Sequence, residues 1–245
     1  MSEPIYAIDS GESLKISIRL TNAATFIIQA ASAVTCGISR SSKLTSEMTT
    51  HSILPGFTGM GFRHLLNNLT DFKGCVYLEV GSYCGSSLIS SLYGNYDTIK
   101  HAYAIDNWSE FNDGPDPKEI FKDNLESFIP GFGKEKLTVI ESDCFSLDKS
   151  LIKDKVNVYF YDGHHSQESH KKAFTYFNDV LSNIFIAIID DWEKGAVRNG
   201  TLEAFKELNY KILANWEIVP KDREKKLSHP DINWWHGISL FVIQK

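Results

Sequence analysis

From residue 74 onward, short apolar runs alternate with segments of helical periodicity, and the runs carry acidic residues at or just past their ends. Val76 to Val80, His101 to Ile105, Lys136 to Ile140, Val156 to Tyr161 and Ile184 to Ile189 read as strands. Between and after them, Ser86 to Tyr93, Pro117 to Phe128, Gln167 to Leu181 and Arg198 to Leu208 read as helices. A parallel neighbour needs a crossover of a dozen residues or more, usually a helix, so this alternation predicts a mostly parallel α/β sheet covered on both faces. Two further strands, Tyr210 to Ile218 and Ile238 to Ile243, have no helix between them and predict a closing antiparallel pair at one edge.

The 245 residues suit one such domain with some additional structure. With 42% hydrophobic and 23% charged residues, a sizeable core is available. The net charge of −6 argues against a protein that grips nucleic acid through its phosphates, so no nucleic-acid partner is expected. Cys36, Cys75, Cys84 and Cys144 are widely spaced with no C-x-x-C pair, which disfavours a zinc site and reads as reduced thiols. Met1-Ser2-Glu3-Pro4 lacks the basic start and apolar run of a signal peptide, so a cytoplasmic location is expected.

Residues 1–54 read as a helical N-terminal extension or lid, and 55–245 as the main domain. Ile16 to Ile38 reads as one or two amphipathic helices; Arg19, Asn22 and Gln29 interrupt it, so no membrane span is expected. A polar loop, Ser39 to His51, leads to the glycine-rich turn Pro55 to Gly61, and Arg63 to Leu69 then has leucines at helical spacing.

Parallel sheets bind ligands beyond the carboxyl ends of their strands. Those ends carry Glu79, Gly81 and Gly85, then Asp106, then Asp143 and Cys144, then Asp162 to His165, then Asp190 and Asp191. Unpartnered buried carboxylates are costly, so this many at one rim points to a site. The first turn, Gly81-Ser82-Tyr83-Cys84-Gly85, is G-x-x-x-G. Tyr83 stands where the dinucleotide fingerprint needs a glycine, and no Walker lysine follows, so NAD, FAD and P-loop chemistry are disfavoured. A turn that need not approach a pyrophosphate fits a small charged group, such as the methionine part of S-adenosylmethionine. Asp106, 25 residues past Gly81, is spaced to accept both ribose hydroxyls.

Leu78 to Gly81 with Gly85-Ser86-Ser87, followed by Ala104 to Trp108, resembles the first motifs of class I S-adenosylmethionine-dependent methyltransferases. Tyr161 to Ser166 and Ile188 to Trp192 are similar to the macrocin O-methyltransferase type, whose members methylate sugar hydroxyls, and Gly56 to Gly59 resembles a cofactor-covering loop of that group. The resemblance spans roughly 55–245. It implies a Rossmann-like fold, seven-stranded and mostly parallel with an antiparallel last strand. It further implies a homodimer and a small-molecule or glycan acceptor. The cofactor set it implies is Thr58, Gly59, Glu79, Gly81, Ser82, Ser87, Asp106, Asn107, Trp108, Asp143, Cys144 and Asp162. It also implies magnesium, or another divalent cation, on Asp162, Asp190 and Asp191, an ion that prefers hard oxygens and eases deprotonation of a bound hydroxyl. His164 stands where that group often has an acidic base, with His165 as the competitor, and a neutral-pH histidine suits the task.

Structural readings stand beside these. Asp190 and Asp191 also suit a helix N-terminus, His164 and His165 a surface turn, and Cys144 a buried thiol. Trp108 fits either stacking on adenine or core packing. Trp234 and Trp235 fit either a sugar platform or packing, and Arg198 either a substrate contact or a solvated helix face. The competing functions are methylation of a catechol-like phenol, and a catalytically silent module that keeps the fold.

Overall fold

The computed structural model describes residues 10–50, 52–111, 113–133, 135–219, 234 and 236–245. Strands β1 (Cys75–Val80), β2 (Ile99–Asp106), β3 (Leu137–Glu141), β4 (Val156–Tyr161), β5 (Leu181–Ile189), β6 (Lys211–Ile218) and β7 (Ile238–Gln244) form one sheet in the order β3-β2-β1-β4-β5-β7-β6. Pairings from β3 through β5 are parallel, and β7 is antiparallel to both β5 and β6. The last strand thus inserts between β5 and β6, as an edge hairpin can.

All six residues of β1 are buried, as expected of a central strand covered on both faces. Its side chains alternate between two cores. Cys75 and Tyr77 join the core beneath α1 (Ser10–Ser39), α2 (Met60–Leu69) and α3 (Ser86–Leu92); Val76, Leu78 and Val80 join that beneath α5 (Gln167–Phe177) and α6 (Gly195–Glu207). Edge strand β6 is largely unburied by contrast.

Local chemistry sets the helix starts. α4 (Pro117–Phe128) begins with proline in its first turn, and the Asp116 carboxylate accepts the Lys118 N–H at 2.9 Å. Ser166 likewise caps α5, accepting the Ser169 N–H at 3.1 Å. The helix expected to run to Leu181 stops at Phe177 instead, because Leu181 pairs with Val156 and opens β5. Polar Ser182 and Asn183 interrupt the apolar run there and hide the strand's start. The N-terminal segment is one helix, packed on α2 and against β5 to β7. Glycine permits the α1–α2 approach: a Cβ on Gly37 would lie 2.8 Å from Leu65 Cβ and 3.0 Å from the Gly61 carbonyl. No described helix is long and apolar enough to cross a membrane.

Strands β1, β2 and β3 step outward one way and β4 returns on the other side of β1. Loops after β1 and β4 therefore diverge and open a crevice at the carboxyl ends.

Candidate functional site

The crevice is organised by the turn after β1. Gly81 has φ +89°, and a Cβ there would lie 2.1 Å from the Asp162 carbonyl oxygen, so the turns after β1 and β4 touch through backbone. Gly85, with φ +85°, caps α3. Asp106 ties the turn to β2: its Oδ2 accepts the N–H groups of Ser82 at 2.7 Å and Tyr83 at 2.8 Å, and its Oδ1 accepts that of Trp108 at 2.7 Å. The residue expected at the ribose is thus also the clamp of the glycine turn. Each carboxylate oxygen has two acceptor positions, so capacity remains.

Glu79 lies beneath the turn, fully buried. Its carboxyl accepts from the Tyr77 hydroxyl at 2.7 Å and the Ser87 hydroxyl at 3.1 Å. Burial pushes its pKa up to about 8, and these hydrogen bonds only partly oppose the rise. Glu79 and Ser87 hence form a buried pair supporting the turn.

The 54–59 segment lies over α3. A Cβ on Gly56 would meet the Ser86 hydroxyl at 2.0 Å, and Thr58 Oγ1 is 3.0 Å from the same oxygen. Arg63, one residue the sequence reading passed over, holds the segment from below. Its guanidinium donates to the carbonyls of Thr58 (2.9 Å), Met48 (2.7 Å) and Leu54 (2.9 Å), and burial lowers its pKa to about 10. Gly59 caps α2. Above the turn, Phe57 stacks on Tyr83 with centroids 5.4 Å apart, and Phe111 closes the trio at 5.5 Å from Tyr83. Phe57 and Phe111 are exposed.

Beside the end of β2 is a cleft of about 420 Å³ lined by Asn107, Trp108, Gly114, Asp116, Lys118 and Glu141. Trp108 forms a wall of it and is itself packed: its indole N–H donates to the Tyr83 carbonyl at 2.9 Å and its ring meets Phe121 edge-on. Asn107 accepts from the Ser109 N–H and hydroxyl. Asp143 accepts the Phe145 N–H at 2.9 Å, and the half-buried Cys144 thiol is pushed up to about 12 by burial.

On the other side of β1, carboxylates from two strand ends meet. His165 Nε2 lies 3.0 Å from Asp191 Oδ2 and 3.8 Å from Asp162 Oδ1. Lys194 Nζ lies 2.6 Å from that same Asp191 oxygen and 2.9 Å from His165 Nδ1. Burial pushes the Asp162 carboxyl up to about 6, with His165 opposing. Burial and the neighbouring Asp162 and Asp191 raise Asp190 well above the carboxylate range. Burial also opposes ionisation of Asp191, but His165 and Lys194 outweigh it and hold that carboxyl below its ordinary value. Asp162 and Asp191 raise the His165 pKa. The Lys194 ammonium, donating to Nδ1, opposes a second proton there, which leaves an Nε2–H directed at Asp191.

Of the two candidate bases, His165 therefore joins the carboxylates. Exposed His164 turns its Nδ1 toward Ser166 N at 3.3 Å and Ser169 Oγ at 3.4 Å, beside the start of α5. Trp234 packs against the α1–α2 core, its ring within 2.9 Å of a Cβ placed on Gly37. Trp235 lies outside the described residues. Arg198, half-buried, stands in the first turn of α6. Lys194 went unnoticed in the sequence, where its only signal is a spacing of three from Asp191 ahead of a helix. Among the described residues, no three carboxylate, imidazole or thiol groups converge to hold a metal ion. The expected trio Asp162, Asp190 and Asp191 does not fit one as arranged, because Lys194 and His165 occupy Asp191 Oδ2.

Five of the seven described non-glycine residues with positive φ ring this crevice: Tyr83, Trp108, Phe111, Asp191 and His236. Such backbone costs roughly 1–2 kcal/mol per residue and concentrates where a site is held open.

The Methyltransferase domain family matches residues 78–192, just under half of the chain, from β1 to the turn before α6. Cofactor-bound Rv0187 from MTB is similar in structure at 11% identity, with a TM-score of 0.53 over 89% of each chain. A putative caffeoyl-CoA O-methyltransferase from Staphylococcus aureus is similar at 13% identity and a TM-score of 0.50, over 96% of this chain and 99% of that one. A precorrin-6y C5,15-methyltransferase from Geobacter metallireducens GS-15 is similar at 13% identity and 0.50, over 82% and 93%. A search of curated proteins finds no match. At these identities the likeness is one of fold: the chain has the Rossmann-like fold of class I methyltransferases.

Proposed function

We propose that this chain is an S-adenosylmethionine-dependent O-methyltransferase acting on a hydroxyl of a sugar or glycan, in the manner of the macrocin type. The observation that carries the reading is contiguity. The glycine turn after β1 packs on the Asp162 backbone, and Asp162 belongs to a cluster able to take a proton. Cofactor turn and acid–base group are thus neighbours across the opening between β1 and β4.

The cofactor fits the residues present. A cleft of about 420 Å³ accommodates an adenosine-sized group, with Asn107 and Trp108 as its wall, and Asp106 directly precedes them in the chain as the last residue of β2. Gly81, Ser82, Ser87 and Glu79 form and support the turn for the methionine part, and Asp143 and Cys144 flank the base. Thr58 and Gly59 belong to the covering segment. When bound, S-adenosylmethionine supplies a methyl group made electrophilic by its sulfonium.

In this mechanism the chain aligns the acceptor, excludes water and takes one proton. Asp162, with a pKa pushed up to about 6, is ionised at neutral pH yet more basic than an ordinary carboxylate. The acceptor hydroxyl gives its proton to Asp162, and His165 and Asp191 fix the geometry. The acceptor oxygen bonds the methyl carbon as the carbon–sulfur bond breaks, leaving S-adenosylhomocysteine and the methyl ether. A divalent metal enters this reading only through the family resemblance. The side chains do not fit it as arranged.

A catechol-like phenol is the second acceptor, favoured by the exposed Phe57 and Phe111 rings gathered on half-buried Tyr83, which suit a planar ring. The reading also takes residues 1–54 as an extension on a domain of 55–245, and a homodimer supported by Ile28 and Ile38, exposed on α1. Light scattering tests the dimer.

Calorimetry with S-adenosylhomocysteine tests the core of the proposal. Binding at sub-millimolar concentration is expected; none would sink it and leave the silent module. Mass gain across free sugars, glycan fragments and catechols then identifies the acceptor. Asp162→Asn and His165→Ala should lower kcat by about 10²- to 10⁴-fold with S-adenosylhomocysteine affinity retained. His164→Ala should stay within about threefold of wild type, as expected of an exposed turn residue. The reverse ranking of the two histidines would move the site to the α5 turn.

A further inference from the structure

Asp191, just past the end of β5, is already paired with a cation of the chain itself, and His165 links that pair to Asp162 at the end of β4. We propose that Lys194 is a built-in counter-cation whose ammonium takes the place of the divalent ion expected on Asp162, Asp190 and Asp191. The site then needs no bound metal to hold its carboxylates together.

The local fold directs Lys194 there. Asp191 has φ +56°, and the Lys194 N–H donates to the Asp191 carbonyl at 2.9 Å, so the chain doubles back within three residues. The turn is anchored on the residues that lead into β7: Trp192 N–H donates to the Gly237 carbonyl and Glu193 N–H to the His236 carbonyl, both at 3.0 Å. Lys194 caps α6 and its side chain returns over Asp191, whose own side chain is only 6% exposed against 40% for Lys194. The ammonium therefore closes the cluster from the solvent side. It donates to Asp191 Oδ2 at 2.6 Å and to His165 Nδ1 at 2.9 Å.

A divalent ion on this trio would need a carboxylate oxygen of Asp191 at roughly 2.1 Å, in competition with the donors already on Oδ2. That oxygen already receives Lys194 and the His165 ring. The incoming ion would also face a fixed positive charge within about 5 Å, a repulsion that a half-buried site screens poorly. Lys194 acts as a positioning residue. It holds Asp191 ionised and the His165 ring in one orientation while Asp162 receives the acceptor proton. That last clause rests on the reading under Proposed function; occupation of the cation's place does not.

The test is Mn²⁺ titration of the full chain, stripped by chelator, read by electron paramagnetic resonance without cofactor or acceptor. Wild type should bind Mn²⁺ weakly. Lys194→Met, which keeps length and removes charge, should bind it about ten- to a hundredfold more tightly. Asp191→Asn in that background should abolish the gain, and Lys194→Arg should stay as weak as wild type. Stoichiometric tight binding by wild type overturns the proposal even where no variant folds, and so does an unchanged affinity in a folded Lys194→Met. Calorimetry with S-adenosylhomocysteine reports separately on the methyltransferase reading, so the two can fail independently.

Discussion

Gly81 answers two demands at once: a left-handed φ and a neighbouring carbonyl where a side chain would stand. Gly81→Ala should therefore destabilise the fold by about 3 kcal/mol or more, read by urea denaturation. A loss under about 1 kcal/mol would mean that the two turns are not locked together. Glu79 beneath it gives a pH signature. Its folded pKa, about 8, lies above the ordinary 4.5, so the folded state holds a proton that the unfolded chain releases. Its contribution is complete below 4.5 and is lost as pH rises through about 8. Wild type should lose stability across that window relative to Glu79→Gln, which does not titrate. A constant difference would show Glu79 ionised in the fold. The glycines were legible in the sequence because their demand is local. Glu79 was legible only as a carboxylate near a strand end; that it faces inward depends on Tyr77 and Ser87, which come from the same strand and the next helix.

Elements were legible to the extent that periodicity marks them. Four helices and seven strands emerge near their expected places, and the misplaced boundary at Phe177–Leu181 was set by pairing with β4. The 54–59 segment shows the limit more sharply. Its glycines announced a turn, but what holds it is Arg63, a cation on the buried face of α2. A periodicity reading assigns a charged residue to solvent, and only three carbonyls from a different stretch of chain reverse that. Arg63→Met should cost about 3 kcal/mol or more, since three carbonyls lose charged donors, and should weaken S-adenosylhomocysteine binding. Unaltered affinity would remove the 54–59 segment from the cofactor site.

The whole molecule is held by two cores on the two faces of one sheet, and the candidate site lies at the rim beyond the carboxyl ends of β1 and β4. A ligand bridging that opening ties the two halves of the sheet together. At a hundred times its Kd, S-adenosylhomocysteine should add about 2.7 kcal/mol of stability. For a chain of this size that raises Tm by roughly 5–10 °C. A flat melting temperature under saturating ligand would contradict the placement.

The sequence by itself determined the strand–helix alternation, the glycine turn that departs from the dinucleotide pattern at Tyr83, and the rim of carboxylates. Each is encoded within a dozen residues, where side-chain period and backbone sterics act. Only the tertiary structure decided which carboxylates meet, which histidine joins them, and that a lysine supplies the positive charge. Asp162 and Asp191 are 29 residues apart and become neighbours only because β4 pairs with β5. Charge compensation acts through space, over a few ångströms set by strand order, and no local pattern in the chain records it.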